Sequence, residues 1–355
     1  LLSGDSHWPA WFSYLASALA FLLIGAGMQT TQTAGLALAT DLADEKNRPR
    51  VVAMMYVMLL VGMVFSGILF SVFLNPFSPM QLIRVIQGVA ILTLLLNLFA
   101  LWKQEARQPR NTSPEIPQPK FTQSWHEFIK KPNVRRFLIM LGLGTTAFSM
   151  QDIILEPYGG EILGLSVSKT TLLTAMTATG ALVGFLLAAR WLAKGIDPFR
   201  MAARGLLAGI VAFVAVIFAG PLHSTALFFA GAGMIGFGSG LFAISTLTVA
   251  MKLSVGGLAG AGIALGAWGA AQATAQGASI FLGGSLRDLT GHLATNGWLG
   301  AGLTDASLGY SFVYHLEIGL LFVTLAVLGP LVRVRPLPET KPSGDARLAI
   351  VEFPT

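Results

Sequence analysis

The 355-residue sequence contains no cysteine, which excludes a disulfide framework, a thiolate metal site and a cysteine nucleophile. Charge is nearly as scarce: 11% of the residues are Asp, Glu, Lys or Arg, against 54% hydrophobic residues and a mean hydropathy of +0.68. That balance excludes a soluble domain and describes an all-α polytopic membrane protein. Nor does the sequence hold a Walker motif, a His-Glu zinc pattern, a nucleophile elbow or a glycine-rich phosphate loop in suitable context, so the expectation is a protein that is not an enzyme. The pI near 9.7 could point to nucleic acid, but the basic residues lie in loops between apolar runs, where membrane orientation explains them. The opening "LLSGDSHWPAWF" has no initiator Met, no basic n-region and no cleavage site. It is expected to be neither a natural start nor a signal peptide, but the edge of a fragment.

What is present in abundance is apolar runs of bilayer length, about 20 residues each. Nine such spans are predicted, at about 10–40, 51–75, 82–102, 135–157, 170–193, 201–220, 224–251, 259–284 and 311–333. Ending the first span inside, at "DLADEKNRPR", puts 20 of the 23 basic residues in inner segments and leaves only Arg84, Lys169 and Arg287 outside. The positive-inside rule then sets the topology, with cytoplasmic termini for the whole protein. Trp8, Trp11 and Trp298 at the outer boundary, with Trp102 and Trp191 at the inner one, fit interfacial belts.

The long inner connection divides three spans from six. Its first half is Pro-rich and reads as a flexible linker. In its second half, Ser124 followed by Glu127 has the spacing of a capping box. Trp125, Phe128 and Ile129 beside Lys130 and Lys131 predict a short amphipathic helix lying on the inner surface. The organisation read from the chain is therefore the remainder of an N-terminal half (1–103), a linker (104–134), a C-terminal six-helix half (135–333) and a tail (334–355).

An internal repeat supplies the architecture. "IGAGMQTTQTAGLALATDL" (Ile24 to Leu42) aligns without a gap on "IGFGSGLFAISTLTVAMKL" (Ile235 to Leu253), an offset of 211 residues. Both copies end on the inner side. If the halves are parallel six-helix repeats, the first span is a fourth helix and three helices are missing upstream, giving the six-plus-six layout of the major facilitator superfamily.

Polar groups inside spans are the functional candidates, because an ionised side chain at the bilayer centre costs roughly 2.5–3.5 kcal/mol on insertion scales. Thr145, Ser149, Asp152 and Glu156, spaced 4, 3 and 4, predict one stripe on a helix that stops at Pro157 and the Gly159-Gly160 pair. That places Asp152 about 6 Å below the outer end, where structural and ligand-binding roles are both open. Trp268, Gln272, Gln276 and Ser279 share one face of another span, and Gln29 and Gln32 form a similar set in the first half; helix-to-helix hydrogen bonds and binding of a pigment, lipid or solute headgroup are the two readings. His315 is the only histidine inside an apolar run. Its imidazole could be a structural hydrogen-bonding group or an axial ligand for a metal, including the magnesium of a chlorin. Glu317 lies about 200° around the helix from it, so one should face the bundle and the other lipid or a partner.

The strings "GLALATDLA", "RPRVVAMMYVMLLVGM", "LIRVIQGVAILTLLLNLFALWKQEAR", "FSMQDIILEPYGGEILGLSV", "LGAWGAAQATAQG" and "YHLEIGLLFVTLAVLGPLVR" resemble the PucC/LhaA family of light-harvesting assembly proteins, the bacteriochlorophyll-delivery branch of the major facilitator superfamily. The resemblance runs from about Trp8 to Arg333. It implies a twelve-helix protein of the intracytoplasmic photosynthetic membrane of purple bacteria that assists insertion or oligomerisation of antenna polypeptides, or their loading with bacteriochlorophyll and, less directly, carotenoid. Implied partners are the light-harvesting alpha and beta polypeptides or the core antenna and reaction-centre complex, with bacteriochlorophyll synthase and the translocon beyond them. The rival reading is a secondary transporter of a small solute or proton-coupled substrate, with Asp152 and Glu156 as its titrating pair. A third is a partner of a pigment-handling enzyme that has no pigment site of its own.

Overall fold

In a bilayer the backbone groups of a long apolar run have only one another as partners, and a helix satisfies them all within the segment. The computed structural model describes residues 10–43, 48–102, 121–131, 133–253, 258–300, 302–305 and 307–333; the Pro-rich linker, Trp8 and the tail lie outside them. Eleven α-helices occur among the described residues: α1 (Ala10–Leu42), α2 (Arg48–Phe73), α3 (Pro79–Leu101), α4 (Phe121–Lys130), α5 (Val134–Ser149), α6 (Leu155–Glu161), α7 (Val167–Ala193), α8 (Pro198–Ala219), α9 (Thr225–Leu253), α10 (Leu258–Thr295) and α11 (Ser307–Arg333). No strand is present among these residues. α1 and α9 end at Leu42 and Leu253, the paired last residues of the internal repeat.

Helix starts are written locally. Ser78 accepts a hydrogen bond from the Gln81 amide at 3.1 Å with Pro79 in the first turn, and Asp197 does the same for the Phe199 amide at 3.1 Å ahead of Pro198. Proline costs nothing there because the first amides of a helix have no internal acceptor.

Among the described residues, eight helical segments are long and apolar enough to cross a membrane, α5 through α6 counting as one. Nine spans were expected, and the ninth, 259–284, lies in α10. At 38 residues, about 57 Å, that helix has the length, but it is not among the eight: Gln272, Gln276 and its many glycines dilute its apolar character.

The described residues fall into two compact units divided inside α2, between Tyr56 and Val57. In the first, the Gln32 side chain hydrogen-bonds Tyr56, and Gly35 lets Met55 approach. In the second, α9 is the hub, packed along α7 on one side and α8 on the other, while α5, α10 and α11 pack together and α11 reaches α8. Glycines set the spacing. A Cβ on Gly180 would stand 1.9 Å from the Gly233 carbonyl oxygen, and one on Gly236 would stand 1.9 Å from that of Thr177. Close backbone approach of this kind is how helices associate where burial from water supplies no drive. The C-terminal part of α2 meets α7 through paired serines: the Ser71 hydroxyl donates to the Ser168 carbonyl at 2.8 Å and the Ser168 hydroxyl to that of Ser71 at 2.7 Å.

The amphipathic helix expected in the inner connection is α4, with two corrections. It starts at Phe121, so Ser124 lies within it and is no cap. Its apolar face also packs on protein: Phe128 is buried with Val134, Ala264 and Ala267, flanked by Trp125 and Ile129. Phe128 therefore tethers α4 to the N-terminal ends of α5 and α10.

Candidate functional site

The predicted stripe from Thr145 to Glu156 requires one unbroken helix, and α5 does not continue that far. It ends at Ser149, a single tight 3₁₀ turn covers Met150–Ile153, and α6 resumes at Leu155. Pro157 is the reason the break falls here and not at residue 157. Continued helix would place its ring against the carbonyl four residues earlier and leave that carbonyl without a donor; in the first turn of α6 it conflicts with nothing. Gly159 and Gly160 lie inside α6 and do not end it.

The break separates the stripe's members. Thr145 and Ser149 are buried. Glu156 turns to α7 and accepts a hydrogen bond from the Thr174 hydroxyl at 2.9 Å. Asp152 is exposed at the protein surface and is held by the side chains of Gln151 and of Gln276 on α10. The two acids are thus tied to different helices and do not form a pair.

Gln276 joins α10 to the break, and Trp268 joins α10 to α9, its indole N–H donating to the Thr246 hydroxyl at 3.2 Å. Both are helix-to-helix bonds. The Ser279 hydroxyl closes on its own helix, donating to the Gln276 carbonyl at 2.8 Å, while Gln272 is half-buried. In the first half, Gln29 is half-buried and Gln32 is engaged with Tyr56. Two cavities of about 450 Å³ and 460 Å³ exist in the second unit, one among Tyr158, Ile217, Pro221, Asp305 and Tyr314, the other among Trp125, Leu138, Thr146, Ala271 and Ala275. None of the polar residues singled out from the sequence lines either one.

On α11 the expected divergence is observed: His315 is exposed and Glu317 is 0% exposed. His315 Nδ1 lies 2.7 Å from the Ser311 carbonyl oxygen. A carbonyl can only accept, so Nδ1 carries a proton here, and in the neutral ring Nε2 is the nitrogen left with a lone pair. Glu317 points inward to the break, where its Oε1 accepts the Gln151 backbone N–H at 2.7 Å. The 3₁₀ turn released that amide from the α-helical ladder, and α11 supplies its acceptor.

With these positions fixed, the comparison with known proteins is direct. Residues 1–335 match the family model described as PUCC protein. The chain belongs to the PUCC protein family. A Rhodobacter capsulatus protein described by its place in the puhA-bchM intergenic region is 53% identical over 358 residues, spanning 100% of this chain and 74% of that protein. Protein PucC of Cereibacter sphaeroides is 46% identical over 325 residues, covering 92% of this chain and 69% of its own length. The Rhodobacter capsulatus protein named bacteriochlorophyll synthase 44.5 kDa chain is 31% identical over 278 residues, covering 78% and 64%.

One cluster in this PUCC-family chain escapes sequence reasoning because Glu161 is 126 residues from Arg287 and 149 from Tyr310. Arg287 on α10 ion-pairs with Glu161 at the end of α6 and with Asp288. Its guanidinium also lies 4.5 Å over the Tyr310 ring and donates to the Tyr310 hydroxyl at 2.6 Å, and that hydroxyl donates to Glu161 at 2.7 Å. The only sequence signal was charge: Arg287 is one of three basic residues expected outside. Three elements are latched there, which gives Glu161 a structural partner at the end of α6.

Proposed function

We propose that this protein is a non-enzymatic assembly factor of the bacterial photosynthetic membrane, which docks antenna polypeptides, bacteriochlorophyll or both while light-harvesting complexes are built. The carrying observation is family membership along 335 residues, together with a relative whose name places it with bacteriochlorophyll synthase. The complete protein, in this reading, has the six-plus-six helix arrangement of the major facilitator superfamily and sits in the intracytoplasmic membrane with cytoplasmic termini. Its partners are the light-harvesting alpha and beta polypeptides or the core complex, with bacteriochlorophyll synthase and the translocon as further contacts.

The donor set fits the pigment. His315 is exposed and offers its Nε2, with Nδ1 anchored on a backbone carbonyl, the arrangement that fixes imidazole as a metal ligand. His315 would hold the chlorin magnesium by axial coordination, and the pigment would supply the light-absorbing macrocycle that is handed to the antenna. Gln29, Gln32, Gln272 and Gln276 are less suited, since the partners found for Gln32 and Gln276 are within the protein. The test is purification from the phototrophic host in mild detergent, followed by an absorption spectrum and mass spectrometry of what co-purifies. Recovery of bacteriochlorophyll or antenna polypeptides is expected; recovery of neither, with normal antenna spectra in a deletion strain, would sink the proposal.

A secondary transporter is the second reading, favoured by the interrupted helix that carries Asp152 and Glu156, since broken helices are common at coupling sites in transporters. It predicts solute-dependent proton uptake in proteoliposomes that is lost in Asp152→Asn, and absence of that uptake rejects it.

A further inference from the structure

The joint where α11 meets the break between α5 and α6 leaves more polar groups without partners than a finished core tolerates. Three side-chain oxygens there are buried and without a hydrogen-bond partner: Gln151 Oε1, Glu317 Oε2 and the Tyr314 hydroxyl. Their residues are 2%, 0% and 0% exposed. These residues adjoin: Glu317 Oε1 is bound to the Gln151 backbone N–H, and Tyr314, one turn before Glu317 on the same helix face, interacts with it electrostatically. Buried polar atoms in folded proteins almost always have a partner, and a buried carboxylate needs a compensating charge.

No such charge comes from the described residues. Arg287 is engaged elsewhere, in ion pairs with Glu161 and Asp288. The titratable groups interacting with Glu317 are Asp152 on the turn and Tyr314 on its own helix, and Tyr314 in turn meets Tyr158 on α6 and Tyr310; α5, α8 and α10 present no basic side chain to it, since Arg135, Arg136, Arg200 and Arg204 lie at the opposite helix ends and Arg287 pairs with Glu161 and Asp288. α5 ends at the joint, and a helix C-terminus carries partial negative charge. The Gln151 N–H on Oε1 is the one favourable contact described for the carboxylate, and it brings no full charge.

We propose that this joint is a binding site for a single monovalent cation, with Glu317 as its charged ligand and Gln151 Oε1 and the Tyr314 hydroxyl as neutral oxygen ligands. One carboxylate calls for one positive charge, and an all-oxygen set selects a hard ion: a proton or sodium. Occupancy couples to the fold, because the same carboxylate holds the amide freed by the helix break. An occupied site keeps α11 against the turn, and an empty one leaves an uncompensated charge that pushes α11 away from it. This site is independent of the assembly reading and stands or falls separately.

The test is thermal unfolding of the full-length protein in mild detergent, with sodium chloride exchanged for choline chloride at constant ionic strength, and then with pH raised in choline alone. Cation binding to the folded state raises Tm as the cation becomes abundant. If sodium is the ligand, wild-type Tm rises by about 3 °C or more with sodium. If a proton is the ligand, sodium has no effect and Tm falls as pH rises, because the bound proton is lost. Glu317→Gln, neutral at every pH, is expected to abolish whichever response is seen. Tyr314→Phe keeps the ring against Tyr158 and Phe213 but removes one oxygen, and should shift the midpoint about tenfold toward higher cation concentration. A wild type flat in both titrations, or a response unchanged in Tyr314→Phe, overturns the site even if Glu317→Gln fails to fold.

Discussion

Gly236→Ala is the sharpest probe of how this fold is held together, because two opposing effects have different sizes. Alanine in a helix interior is favoured over glycine by about 1 kcal/mol, so propensity alone predicts stabilisation. Against it, the new Cβ would stand 1.9 Å from the Thr177 carbonyl oxygen and 3.0 Å from the Ala181 amide nitrogen. Real Cβ atoms do not approach a neighbour closer than about 3 Å, so α7 and α9 would have to separate by roughly an ångström, and the atoms in the way are backbone, which no rotamer change can move. Overpacking of this kind costs about 1–3 kcal/mol, and a backbone clash belongs at the upper end. The net expectation is a loss of about 2 kcal/mol, which lowers Tm by roughly 4 °C or more. Gly269→Ala on α10 is the control, with no atom within 4 Å of the place its methyl group would take; it should be neutral or slightly stabilising. Thermal unfolding of both variants in the same detergent decides the matter. Equal Tm values for Gly236→Ala and Gly269→Ala would refute the reasoning that a glycine seam sets the α7–α9 distance.

Other consequences are simpler. Arg287→Ala removes the rim latch, but Arg287 and Glu161 are 27% and 52% exposed, so screening limits the loss to about 1 kcal/mol; hydrogen exchange in α6 should rise while Tm barely moves. Trp268→Phe keeps an aromatic side chain but deletes the bond to Thr246 and the five-membered half of the buried indole, with an expected loss of about 1–3 kcal/mol in detergent unfolding. Phe128→Ala should free α4 from α5 and α10, detected as new protease cleavage near residues 121–131 without loss of the membrane fold. His315→Ala, at an exposed position, should leave Tm unchanged within about 0.5 kcal/mol and reduce any co-purifying chlorin absorption; an unchanged chlorin signal removes His315 as a ligand.

Apolar runs of bilayer length and the repeat ending at Leu42 and Leu253 were legible in the chain, because the bilayer imposes length and helicity segment by segment. The opposite facing of His315 and Glu317 was legible too, since 3.6-residue periodicity belongs to a single helix. The limit was reached at Pro157. Sequence pattern read it as the end of a helix, whereas the structure moves the break upstream and makes Pro157 part of a new first turn. That choice is tertiary: the amide released at Gln151 is satisfied only because Glu317 lies within reach 166 residues away. For the same reason Asp152 and Glu156, neighbours on one predicted face, are held by Gln276 and Thr174 on two different helices. The sequence by itself determined that this is a helical membrane protein and which residues carry polar chemistry inside it. Only the tertiary structure decided which of them meet, because partner choice depends on helix packing across long sequence separations that no local period encodes.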